Sequence, residues 1–166
     1  MGGSLYFVLM PMRVRLLIFI SWLVFFCVLA ENHVAAGEAR VVKVLTHLVD
    51  AQNRTALAPS LYERDAYQLH LRDNPDLISG MRFEVQFKAA RKGGAVRVRV
   101  EARGSKSGLG NAQVFETEVL PERFFSTWAR LRLDKEQTVA LGTVVAWRAS
   151  LWRDGELLAE QQSFLW

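Results

Sequence analysis

The sequence has little cysteine and little histidine, the side chains on which much metal and nucleophile chemistry depends. The 166-residue chain contains one cysteine, Cys27, inside an apolar N-terminal run. If that run is removed, no cysteine remains for disulfides, thiolate metal ligands or thiol catalysis. His47 and His70 are the histidines beyond residue 40, and they lie too far apart in sequence to give zinc-ligand spacing. We therefore expect no metal site and no cofactor.

The sequence also lacks the short motifs of common catalytic sites. It contains no G-x-S-x-G nucleophile elbow, no phosphate-binding loop and no dinucleotide-binding fingerprint. Asp73, Asn74 and Asp76 form a small acidic group, but they do not match the calcium-loop pattern and are more typical of a turn that ends a helix. The sequence therefore predicts a protein that is not an enzyme, and it offers no catalytic residues.

Positive charge is in small excess. From Arg40 onward the chain has 19 lysines and arginines against 15 aspartates and glutamates, which leaves a net charge of +4 on that part. A dedicated nucleic-acid binder carries a much denser positive field. We therefore expect no nucleic-acid partner.

The N-terminus looks like a targeting segment. Arg13 and Arg15 precede a run of 15 uncharged residues, Leu16–Ala30, that is apolar apart from Ser21. That length fits a signal peptide and is shorter than the roughly 18–20 residues of a comfortable membrane span. Two alternatives stay open: residues 1–39 are a signal peptide that is cleaved, or residues 14–30 remain as an anchor in the inner membrane. Both predict that residues 40–166 are extracytoplasmic, and the uncleaved segment would be the contact with the membrane.

Two runs of alternating apolar and polar residues dominate the rest of the chain. The apolar positions of the first run are Met81, Phe83, Val85, Phe87 and Ala89, and those of the second are Val96, Val98, Val100 and Ala102. Strict alternation is the period of a half-buried strand, because successive side chains point to opposite faces. The link between the two runs, Ala90–Gly94, is consistent with either a hairpin or a crossover between two sheets.

Further strands are predicted at residues 40–50, 112–120 and 127–133, and in a hairpin over residues 143–166. Asp154-Gly155 is the preferred central pair of a type I′ turn, and we expect its ladder to run as far as Thr143 and Trp166. A helix of about three turns is predicted to begin at Ser60 and end at Asn74-Pro75, with an apolar stripe of Tyr62, Ala66 and Leu69. A shorter helix is predicted at residues 134–142, with Asp134 as its cap and Gln137 in the reciprocal position of a capping box.

Seven short strands with regular turn signals predict an all-β fold of two packed sheets. The arrangement is similar to immunoglobulin-like and fibronectin-III-like domains, with one helix between strands 1 and 2, a short helix between strands 5 and 6, and a hydrophobic signal helix before the domain. A small barrel is the alternative. The likeness is architectural, since the paired cysteines of antibody domains are absent.

Two groups of residues are candidates for binding a partner. The first is a basic face on one strand with its flanking loops: Arg91, Lys92, Arg97, Arg99, Arg103 and Lys106. Its competing interpretation is a solvated face that prevents aggregation at a sheet edge. The second is the longer helix, with Tyr62, Arg64 and Tyr67, since tyrosine and arginine are enriched at interfaces. Its competing interpretation is that Tyr62 and Leu69 pack on the sandwich.

The sequence thus predicts an exported, non-catalytic module that binds a protein or an envelope polymer, or serves a structural role. One alternative is a membrane-anchored accessory subunit of an envelope complex. The other is a carbohydrate-directed binding module, for which Trp128, Trp147 or Trp152 would have to line an exposed cleft.

Overall fold

The computed structural model describes residues 39–106 and 111–166. The predicted signal peptide, apart from its last residue Ala39, and the predicted anchor lie outside these residues, and the domain boundary at residue 39 stays a prediction. Within the described ranges, no helix combines the length and the apolar composition that crossing a membrane would require.

Within the described residues, seven strands form two antiparallel sheets, which confirms the predicted all-β sandwich. The strands are β1 (Ala39–Val49), β2 (Gly80–Ala89), β3 (Val96–Gly104), β4 (Gln113–Val119), β5 (Thr127–Leu133), β6 (Val144–Arg153) and β7 (Glu156–Gln162). One sheet has the order β1-β2-β5 and the other the order β4-β3-β6-β7. Two helices, α1 (Leu61–Asp73) and α2 (Lys135–Leu141), follow β1 and β5 as predicted, and a short 3₁₀ turn spans Pro75–Leu77.

The alternating positions of β2 and β3 build the core. Phe83, Val85 and Phe87 face Val98 and Val100 across the interior, and all five side chains are fully buried. Burying an aromatic or branched side chain of this size contributes roughly 1.5–3 kcal/mol to stability. The alternation in the sequence therefore identified the dry interior correctly.

The link Ala90–Gly94 crosses from one sheet to the other, because β2 and β3 belong to different sheets. The hairpin alternative for this link is therefore wrong. Glu84 faces Arg130 on β5, and Glu101 faces Arg148 on β6, so neither carboxylate pairs across a β2–β3 hairpin.

The C-terminal hairpin turns where it was predicted. Asp154 and Gly155 have φ values of 51° and 84°, the positive values that a type I′ turn requires at both central residues. Arg153 faces Glu156, but a bulge between Leu151 and Trp152 shifts the ladder by one residue. The pairing ends at Gln162, so the prediction that it continues to Trp166 is wrong.

Helix α1 begins at Ser60, whose hydroxyl accepts a hydrogen bond from the Glu63 amide at 3.1 Å. The predicted apolar stripe on this helix is wrong, because Tyr62 is 81% exposed and Leu69 57% exposed. The buried positions are instead Gln68 and Leu71. The polar side chain of Gln68 therefore helps to set the orientation of α1 on the sheet.

Gln68 joins α1 to the edge strand β1. Its amide oxygen accepts from the Leu48 N–H at 2.8 Å, and its amide nitrogen donates to the carbonyls of Leu48 and Thr55, both at 2.9 Å. An edge strand presents unpaired backbone groups. Gln68 occupies two of them and fixes the helix at the same time.

We expect Gln68→Ala to lower the free energy of unfolding by about 1–3 kcal/mol, because buried backbone groups of β1 would lose their partners. Urea unfolding of the purified protein measures the change. Leu69→Ala, one position along the same helix and exposed, is the matched control and should cost less than about 0.5 kcal/mol. Equal losses in the two variants would contradict the role assigned to Gln68.

Candidate functional site

The sandwich has two ends that carry different kinds of connection. The helical end consists of residues 50–79, 105–106 and 134–143, which include both helices. The turn end consists of residues 90–95, 120–126 and 154–155. The pairings Val49↔Gly80 and Ala39↔Ala89 place the end of β1 at the helical end and its beginning at the turn end.

A cleft with a volume of about 690 Å³ opens at the helical end. It lies between α1, α2, β1 and the segment that follows β3. Its basic side chains are Arg72, Lys106 and Lys135, and we name it the basic cleft after them. A volume of this size is typical of sites for small ligands or for one group of a larger ligand.

Local structure explains how three distant segments meet there. Arg72 belongs to the last turn of α1, and Lys135 is the first residue of α2. Lys106 is the second residue after β3, and its backbone N–H donates to the carbonyl of Leu141 at 3.2 Å. Gly104 permits this approach, since a Cβ at that position would overlap the Leu141 carbonyl.

Helix α2 is fixed at its start by a capping box. The Asp134 carboxylate accepts from the Gln137 N–H at 2.8 Å, and the Gln137 side chain accepts from the Asp134 N–H at 3.0 Å. This prediction from the sequence is confirmed. The capping box orients the first turn of α2, and Lys135 is the first residue of that turn.

The charge of the basic cleft is not balanced locally. No aspartate or glutamate is among the described side chains that line it. Within residues 39–106 and 111–166, none of Arg72, Lys106 and Lys135 forms an ion pair. The cleft is therefore suited to a ligand that brings negative charge.

His47 forms part of the cleft wall and is held from behind by Glu84. The Nδ1 atom of His47 lies 3.1 Å from Oε2 of Glu84, and the other carboxylate oxygen, Oε1, pairs with Arg82 at 3.2 Å and Arg130 at 3.3 Å. An ionised carboxylate accepts hydrogen bonds, so Nδ1 carries the proton in this contact. The hydrogen bond from His47 and the two arginines outweigh burial and lower the pKa of Glu84 to about 2.

A second buried carboxylate orders the loop before α1. Burial of Asp50 raises its pKa, but hydrogen bonds from Tyr67 and Arg54 outweigh that effect and lower the pKa to about 2. The Tyr67 hydroxyl donates to Asp50 at 2.7 Å, and Arg54 Nε does so at the same distance. Tyr67 therefore ties α1 to the end of β1.

The structure separates the six residues of the predicted basic face. Arg97 pairs with Glu118 at 3.6 Å on the outer face of the four-stranded sheet. Arg99 pairs there with Glu101 at 3.0 Å and with Glu116 at 3.8 Å. The guanidinium of Arg103 lies over the ring of Trp166, at 4.2 Å from its centre.

The other three members lie at the ends of the sandwich. Arg91 and Lys92 belong to the crossover at the turn end, and Lys106 lines the basic cleft at the helical end. The six residues thus do not form one continuous patch. That they bind a partner stays a prediction.

The predicted interface on the helix is divided in the same way. Tyr62 lies in solvent, Arg64 pairs with its neighbour Asp65 at 3.2 Å, and Tyr67 is half-buried against Asp50. That α1 contacts a partner through these three residues stays a prediction.

The tryptophans considered for carbohydrate binding lie on three different faces. Trp128 faces outward from the three-stranded sheet beside Gln86, Trp147 packs on the core, and Trp152 lies outward on the other sheet with its ring N–H donating to Ser150. These three side chains therefore do not form one stacking platform.

Sequence reasoning missed Arg72, Lys135 and Gln68 as residues of this site. Arg72 and Lys135 each have an acidic neighbour in sequence, Asp73 and Glu136, so neither stands out as part of a basic run. The chain fold brings them together, and no local pattern signals it.

No protein-family model and no curated protein matches the chain. Among solved structures, the chain is similar to a protein from Akkermansia muciniphila known from a crystal structure. The two are 13% identical with a TM-score of 0.46, over 76% of this chain and 70% of the other.

We expect stability to fall as the pH drops from about 4.5 towards 2. The pKa of Glu84 falls from its ordinary value of 4.5 to about 2 in the folded protein. As the pH falls, the unfolded chain therefore binds this proton before the folded protein does. The stability that Glu84 contributes is present above pH 4.5 and is lost as the pH falls through the pKa of the folded protein. The contribution at pH 7 is of the order of 2 kcal/mol.

Urea unfolding at pH 7, 4.5 and 3 measures this effect. Glu84→Gln should destabilise the protein at pH 7 and flatten the decline below pH 4.5. Glu116→Gln is the control, because its exposed ion pair with Arg99 contributes little. A Glu84→Gln protein with an unchanged slope would show that His47, Arg82 and Arg130 do not act on this carboxylate.

Proposed function

We propose that the protein is an exported, non-catalytic β-sandwich module that binds an anionic group of a protein or envelope polymer in the basic cleft. The observation that carries the proposal is the convergence of Arg72, Lys106 and Lys135 on one concave surface that no described carboxylate lines. Three like charges in one cleft repel each other, and a bound anion offsets that repulsion.

The proposal includes a fibronectin-III-like type for the sandwich. In the constant-type immunoglobulin domain the fourth strand pairs in the sheet of the first, second and fifth strands. Here β4 pairs with β3 in the other sheet, beside β6 and β7. The helix between β5 and β6 agrees with that type.

Export is supported by the sequence, through the two arginines and the apolar run before residue 31. Cleavage of this segment gives a periplasmic or secreted protein, whereas retention gives a membrane-anchored accessory subunit. A carbohydrate ligand would bind here through acidic groups, because the three tryptophans do not provide a stacking surface.

Titration with inorganic polyphosphate and with a polyuronate tests the cleft, and neutral dextran controls for uncharged polymer. Arg72→Gln and Lys135→Gln should each weaken binding of the charged polymers roughly fivefold, since one cation near an anion contributes about 1 kcal/mol. Binding should also weaken as salt is added.

Arg132→Gln is the matched control, because Arg132 is exposed on the outer face of the three-stranded sheet and its loss changes the net charge equally. A triple variant with Arg97, Arg99 and Arg103 changed to alanine tests the predicted basic face in the same assay. If Arg132→Gln weakens binding as much as the cleft variants, charge alone explains the affinity and the proposed site is wrong.

A further inference from the structure

The loop between β4 and β5 holds two adjacent phenylalanines in solvent. Phe124 is 77% exposed and Phe125 is 78% exposed, and Leu120 in the same loop is 53% exposed. Burying a large aromatic side chain away from water is favourable, and an aromatic side chain exposed at a loop tip does not gain that free energy. Such an adjacent exposed pair is therefore a candidate for contact with another surface.

This loop is fixed at both ends. Pro121 is fully buried, and the Glu122 N–H donates to the Thr127 hydroxyl at 2.7 Å. Ser126 accepts a hydrogen bond from the Gln86 side chain at 2.6 Å. The two phenylalanines thus lie at the tip of an anchored loop.

The chain enters the domain at the same end. Ala39 pairs with Ala89, and Thr127, which follows the loop, pairs with Phe87. These residues lie at the turn end of one sheet in which β2 separates β1 from β5, so the two outer strands are roughly 10 Å apart. Residues 31–38 connect Ala39 with the apolar run, and at full extension they reach at most roughly 30 Å.

The residues around the phenylalanines suit a lipid surface. Arg123 places its guanidinium 5.1 Å from the centre of the Phe124 ring, and Arg91 and Lys92 lie in the crossover at the same end. Glu122 and Asp154 reduce the net charge there, so the aromatic pair carries the argument and the cations add to it. Aromatic side chains next to lysine or arginine are typical of the boundary between headgroups and acyl chains.

We propose that the turn end of the sandwich docks on a membrane surface, with Phe124 and Phe125 inserted among the lipid headgroups. The inference rests on the proposed export and retention of the apolar segment, which would hold the turn end near the bilayer. The basic cleft then opens on the side away from the membrane, since the ten residues of β2 separate the two ends by roughly 30 Å.

The test uses the full chain in vesicles of phosphatidylcholine and phosphatidylglycerol, with Cys27 changed to serine. An environment-sensitive fluorophore is attached at Phe125→Cys in one variant and at Leu69→Cys in the other. Leu69 is 57% exposed on α1 at the helical end, outside the basic cleft, and is the matched control. Lipids that carry a nitroxide in the headgroup region serve as the quencher.

We expect the label at position 125 to shift to the blue and to be quenched at least threefold more than the label at position 69. Equal quenching at the two positions, or a label at position 125 that stays in water, would overturn the inference. A full chain that does not bind the vesicles at all would also overturn it.

A second pair of variants separates insertion from the effect of labelling. Phe124→Ser with Phe125→Ser should reduce quenching of a label at Ser126→Cys, whereas Leu61→Ser with Tyr62→Ser on α1 should leave it unchanged. Polyphosphate binding by the basic cleft is measured on the same samples. Loss of that binding with docking intact would reject the proposed ligand site alone, and the reverse result would reject the docking alone.

Discussion

The dry interior between β2 and β3 is the contact on which the rest of the structure depends. Phe83, Val85 and Phe87 of one sheet meet Val98 and Val100 of the other, and all are fully buried. Because the link between these strands crosses from sheet to sheet, their apolar faces point towards each other and each sheet closes the other. The crossover also leaves the outer faces of β2 and β3 in different surroundings. Glu84 lies among His47, Arg82 and Arg130, whereas Glu101 lies beside Arg99 and Arg148.

The strand register explains why cations are paired on the sheets and not in the basic cleft. Arg97 and Arg99 stand directly opposite Glu118 and Glu116, and Glu101 stands opposite Arg148. Cross-strand neighbours of opposite charge are close enough to interact wherever a ladder continues. The cations of the basic cleft lie at the ends of helices and just after a strand, where no ladder sets a partner opposite them. Charge is therefore neutralised along the ladders of the four-stranded sheet, whereas the cations of the basic cleft face no ladder partner.

Features that depend on local interactions could be predicted from the sequence, whereas features that depend on contacts between distant segments could not. Alternation along β2 and β3, the capping box at Asp134 and the turn at Asp154-Gly155 are local, and the structure confirms them. The orientation of α1 could not be predicted, because Gln68 fixes it through backbone groups of Leu48, and no periodic pattern contains that information. The alternation of residues also could not predict the bulge between Leu151 and Trp152, because the bulge depends on how β7 pairs with β6. The basic cleft depends on three segments that only the complete fold brings together.

The two ends of the sandwich differ because the chain connects its strands differently at each. At the turn end, the connections from β6 to β7 and from β2 to β3 are short turns. The anchored loop at the same end exposes Phe124 and Phe125. The longer connections carry α1 and α2, and between two helices that pack on different strands a concave surface is left. The length of the strands thus separates the loop that carries Phe124 and Phe125 from the basic cleft between the helices. A ligand in the cleft would then approach from the side opposite to any surface that the phenylalanines touch, and neither contact would obstruct the other.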